Sequence, residues 1–250
     1  MFTPWIVAGL AATIVATSFL SGIFGMAGGM VLMGFLLATL PVQTAMVMHG
    51  IIQMAANGWR AILWRAHVRW SVIGFYLCGA ALSVALFVAI LFVPDKPLVL
   101  IAIGVTPFIA LLLPARFAPN ILKPGHAVVA GAICTALHLV AGVTGPLLDA
   151  FFTRTELSRQ ANVATKAVTQ TTGHILKIVY FGALTARPGD LGIGWELAVG
   201  SVALAMLGTT LARRILENMS DRAFYRWTNR LVLSLGTVYI VQGIWQIATR

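Results

Sequence analysis

Apolar stretches close to membrane-spanning length follow one another along this chain with little polar sequence between them. About 20 apolar residues cross a hydrocarbon core, and several stretches here approach that length. Of 250 residues, 59% are hydrophobic and only 10% charged, whereas a soluble domain keeps about 25% charged residues to wet its surface. Backbone polar groups inside lipid must be satisfied within their own segment, which leaves helices or closed barrels. A barrel would show short alternating segments. The chain therefore reads as an all-α polytopic membrane protein, a single integral domain whose first partner is the lipid bilayer. Met1 to Leu20 has neither a basic leader nor a convincing cleavage site, so it is expected to stay in the mature chain.

Glycine, proline and charge divide the chain into two similar halves, 1–118 and 119–250. In the first, residues 5–40 form one apolar run interrupted by Gly22, Gly25, Gly28 and Gly29, followed by spans at 42–63, 70–93 and 98–115. In the second, residues 126–152 are interrupted by Gly142, Gly145 and Pro146, and spans follow at 157–183, 191–212 and 231–248. Each half is thus predicted to be a Gly-broken helical hairpin plus three transmembrane helices.

The net charge of +10 invites a nucleic-acid reading, but the charges lie between apolar segments, where they orient a membrane protein. No nucleic-acid partner is expected. With each broken stretch treated as a hairpin, twelve basic residues fall on one side: Arg60, Arg65, Arg69, Arg116, Lys123, Arg154, Arg159, Arg213, Arg214, Arg222, Arg226 and Arg230. Lys96, Arg187 and Arg250 fall on the other. A single crossing by 126–152 would move a basic cluster to the wrong side. A hairpin plus three spans reverses chain direction, so the halves are expected to be inverted-topology repeats, a plan used by secondary transporters. Seven tryptophans sit near predicted interfaces, where anchoring explains them. Cys78 and Cys134 have no metal or redox spacing.

The first helix after each hairpin carries a polar face. His49, Gln53, Asn57 and Arg60 recur as Lys166, Gln170, His174 and Lys177, both sets spaced i, i+4, i+8, i+11 and so on one side of a helix. Arg60 and Lys177 lie toward helix ends and are expected to snorkel to the interface. His138 reads as a packed residue on an apolar face. The faces supply donors and positive charge, while Asp149 is the acid nearest membrane depth. A cation site would want carboxylates or carbonyl rings. Gln, Asn and Lys donors with exposed helix N-termini suit an anion. The predicted site comprises Lys166 as the main charge with Gln170, His174, His49, Gln53 and Asn57, beside the breaks at Gly28, Gly29 and Gly145. Asp149 is the candidate for proton coupling. No nucleophile–base pair, metal-ligand spacing or phosphate loop is present, so neither metal nor cofactor is expected.

Ser21-Gly22-Ile23-Phe24-Gly25-Met26-Ala27-Gly28-Gly29-Met30, with Pro41-Val42-Gln43-Thr44-Ala45 after an apolar helix, resembles the opening of the sulfite exporter TauE/SafE family. Ala141-Gly142-Val143-Thr144-Gly145-Pro146 and Ala161-Asn162-Val163-Ala164-Thr165 resemble its second-half counterpart. Ala27 departs from the family's glycine triple, Met33-Gly34 stands where proline is common, and His49 stands near an expected threonine. The resemblance implies a multi-pass permease of the bacterial inner membrane, an exporter of sulfur-containing or organic anions such as sulfite or sulfonates. The expected function is secondary transport of a small anionic solute, not catalysis, with a homo-oligomer compatible. Two rivals stand beside it: a non-transporting assembly or scaffold subunit, and an intramembrane enzyme built on His49, His138 and His174.

Overall fold

A computed structural model describes residues 4–24, 27–112, 119–153, 155–186, 191–218 and 221–249. Among them there is helix and no strand. The order is α1 (Pro4–Phe24), α2 (Ala27–Thr39), α3 (Val42–Leu63), a 3₁₀ turn (Arg65–His67), α4 (Trp70–Ile90), α5 (Lys96–Leu112), α6 (Pro124–Val140), α7 (Gly145–Phe152), α8 (Arg159–Val179) continued by a π-helical turn (Tyr180–Leu184), α9 (Trp195–Asn218) and α10 (Asp221–Ala248). Gly25, Arg116, Arg154, Arg187 and Arg250 lie outside the described residues, and with them part of the charge count that sets the predicted topology.

Among the described residues, three helices are long and apolar enough to cross a bilayer: Trp70–Ile90, Trp195–Ala212 and Arg226–Ala248. Their outward surfaces are apolar. Leu82, Leu86, Val199 and Val241 are each at least 60% exposed, while His49, Gln53, Asn57, His138, His174 and Lys177 are buried. That distribution inverts the soluble pattern and suits a lipid surround. Cys78 and Cys134 are both free thiols.

Local chemistry sets the helix ends. Proline opens α6 and α7, where its missing N–H costs nothing. Ser158 caps α8 by accepting from the Ala161 amide at 3.2 Å. α6 stops at a left-handed glycine: Gly142 has φ +74° and its amide donates to the His138 carbonyl at 3.1 Å, the αL cap that glycine alone adopts without strain. The eight-residue α7 rises only about 12 Å, well short of a membrane core of about 30 Å. The 126–152 stretch is therefore broken, not a continuous rod.

The helices pack in pairs: α4 on α6, α1 on α9, α5 on α10 and α3 on α8, with α2 also touching α10 and α5 touching α7. At the α5–α10 contact a Cβ added to Gly104 would lie 2.6 Å from the Gly236 carbonyl, and one on Gly236 would lie 2.7 Å from the Gly104 carbonyl. The two backbones touch there directly. Tyr239 of α10 donates to the Met30 carbonyl at 2.7 Å, tying α10 to the first hairpin.

Candidate functional site

The packing of α3 on α8 brings the two polar faces together. His49 and His174 have ring centroids 5.5 Å apart, and His138 of α6 stands edge-on to His174 at 4.7 Å. Around them lies a small cavity lined by Gly29, His49, Gln53, His138, Val143, Thr144, Gly145, Gln170 and His174. Both hairpins reach it, the first through Gly29 and the second through Val143-Thr144-Gly145.

Hydrogen bonds fix the orientation of several lining groups. His49 Nε2 lies 3.0 Å from the Gly29 carbonyl, and its Nδ1 lies 2.8 Å from Lys177 Nζ. Since a carbonyl accepts, Nε2 carries the proton, and Nδ1 accepts from the lysine Nζ. His138 Nδ1 is 3.0 Å from the Cys134 carbonyl and 3.3 Å from Thr144 Oγ1. Asn57 Nδ2 donates to the Gln53 backbone carbonyl at 2.9 Å and to its Oε1 at 3.4 Å. The second of these bonds turns Gln53 Oε1 toward Asn57. Gln53 Nε2 and His174 Nδ1 are both buried without a hydrogen-bond partner among the described residues. A buried polar atom left unpaired costs about 1–3 kcal/mol, so the Gln53 amide is a standing demand for an acceptor, and the His174 imidazole meets one in its Nδ1–H tautomer. The α7 N-terminus adds to it, because Thr144 and Gly145 begin that helix at the cavity wall and the first amides of a helix lack intrahelical partners.

Of the predicted site residues, His49, Gln53, Gln170, His174, Gly29 and Gly145 meet at this cavity. Three others do not line it. Asn57 stands behind Gln53. Gly28 packs α2 onto α1, where an added Cβ would collide with the Thr17 carbonyl. Lys166 is drawn to Asp149, with Nζ 2.7 Å from Oδ1 and 5.9 Å from the Phe152 ring centroid. Both partners are partly exposed, 26% for Lys166 and 38% for Asp149. Opposite charge on the neighbouring α7 thus claims the lysine expected at the centre.

Two expectations from sequence are overturned. Lys177 does not snorkel: it is 0% exposed and donates to His49 Nδ1 and, at 2.9 Å, to the Gly142 carbonyl. The second hairpin supplies its acceptor in the Gly142 carbonyl. Arg60 also turns inward, giving Nη2 to the Ser21 carbonyl at 2.7 Å and Nη1 to Asn57 Oδ1 at 3.4 Å. Sequence reasoning missed Thr144 and Val143 and treated His138 as packing. The signal for all three was Gly142, since a helix-ending glycine places the residues on both sides of it at the broken tip.

Lipid-length helices with apolar exteriors and a polar interior define a multi-pass helical membrane protein. The family model for Sulfite exporter TauE/SafE matches residues 10–239, and the chain belongs to that family, which is one of membrane transporters. No curated protein and no solved structure matches the chain.

Proposed function

We propose that this chain is a secondary carrier that moves a small sulfur-containing or organic anion, such as sulfite or a sulfonate, across a bacterial inner membrane. The observation that carries the reading is the buried, unpartnered amide donor Gln53 Nε2, with the unpartnered His174 Nδ1 beside it, on residues that line a cavity both hairpin tips reach. Thr144, Gln170 and the first amides of α7 complete a set rich in donors. The nearest basic side chain, Lys177, stands one imidazole away.

Inverted repeats support alternating access in this reading. Exchanging the halves carries the α4–α6 contact into α9–α1 and the α5–α7 contact into α10–α2, while α3–α8 and α5–α10 map onto themselves. Arg60 and Lys177 then become counterparts, each bonded to a carbonyl at the end of its own hairpin's first helix, Ser21 or Gly142. Cations favour that negative end of a helix dipole. The Lys166–Asp149 pair is the proposed seat of proton coupling, because protonating Asp149 would release Lys166.

Sulfite efflux from liposomes holding the purified chain tests the proposal. Flux well above that of protein-free vesicles is expected, with about a tenfold loss in Gln53→Ala or His174→Ala, the worth of one hydrogen bond to a charged partner. Undiminished flux in both variants would remove the cavity from the mechanism.

A further inference from the structure

Three basic side chains on the polar faces of α3 and α8 are already engaged. Lys166 is held by Asp149 at 2.7 Å. Arg60 is held by the Ser21 carbonyl and Asn57. Lys177 is held by His49 Nδ1 and the Gly142 carbonyl, and of the three it alone stands next to the cavity. The polar groups that line the cavity are amides, a hydroxyl and imidazoles.

We infer that the cavity selects its substrate by charge state and takes a monoanion in preference to a dianion of the same size. The inference rests on the anion-carrier reading above and specifies its substrate class. A single negative charge meets the Lys177 Nζ donor behind the wall, together with the unpartnered amide of Gln53 and imidazole of His174. A second negative charge would find no fixed positive charge among the described lining residues, and the low-dielectric surroundings would leave it uncompensated.

The imidazoles are poor sources of a positive charge. His49 spends Nε2 on the Gly29 carbonyl and accepts from Lys177 at Nδ1, so it has no free site for a proton. His138 and His174 touch ring to ring and are both buried, so a proton on either would be a buried charge with no carboxylate among the described lining residues to hold it. The groups facing this set from the neighbouring helices are Gln53 on α3, Thr144 before α7 and Gln170 on α8. Their side chains carry no charge. A tetrahedral oxyanion with one charge, such as an alkylsulfonate, is therefore favoured by charge over sulfate.

Calorimetric titration of the purified full-length chain with methanesulfonate and with sulfate, matched in ionic strength, reads the preference. Methanesulfonate is expected to bind at least tenfold more tightly. Gln170→Lys, which adds a cation at the lining without removing Gln53 or His174, is expected to shrink that ratio at least threefold. Sulfate binding as tightly as methanesulfonate to the unmodified protein overturns the inference while leaving an anion site standing. An unchanged ratio in a folded Gln170→Lys protein also overturns it. Should that variant not fold, the ratio in the unmodified protein decides. Binding of neither anion sinks the underlying anion-site reading, not the charge rule alone.

Discussion

α3 and α8 carry matching polar faces, yet their terminal cations live in different surroundings. Arg60 is half-buried and bonds within its own half, to Ser21 and Asn57. Lys177 is sealed from solvent and joins the halves, gripping His49 of α3 and the Gly142 carbonyl together. One position in the pattern has thus become a local helix cap in one half and a cross-link in the other. A repeated motif tells where the polar groups point and does not tell what each one holds.

The sharpest way to break this comparison is Lys177→Met against Arg60→Met. The first leaves His49 Nδ1 and a buried carbonyl unpaired, and a loss of about 3 kcal/mol is expected. The second exposes its partners to water and is expected to cost about 1 kcal/mol. Thermal unfolding in detergent would compare them, and equal losses would show that the cross-link adds nothing. Gly142→Ala comes next. It forces a left-handed backbone on a residue with a Cβ, at about 1–2 kcal/mol, and pushes that Cβ into Met33. A lowered unfolding temperature is expected, together with slower sulfite flux, because the broken tip moves. The smallest effect on stability belongs to Asp149→Asn. Its ion pair is partly exposed, and such pairs contribute about 1 kcal/mol or less. Its expected signature is flux that no longer follows an imposed proton gradient. A variant that still follows it would take coupling away from Asp149.

Much of this was legible beforehand for physical reasons. Hydropathy and glycine placement locate broken hairpins, since a Gly-rich interruption inside an apolar run has few other uses at membrane depth. The i, i+4, i+8 spacing predicted which faces would meet, because residues so spaced share one side of any helix. The placements of Lys166 and Lys177 were less legible for a complementary reason. Snorkelling is judged from distance to a helix end, but Lys177 found an acceptor 35 residues earlier in the chain. Lys166 is paired with Asp149 of α7, a contact between helices that spacing along one helix does not reveal.

The reciprocal contact of Gly104 and Gly236 has a consequence for how this protein tolerates change. Outward positions such as Leu82 or Val241 lie exposed on the apolar outer surface, so one greasy side chain there can replace another. At the α5–α10 crossing a single methyl group would wedge apart two backbones. Substitution surveys should therefore find Gly104 and Gly236 far less forgiving than the leucines and valines of the exterior.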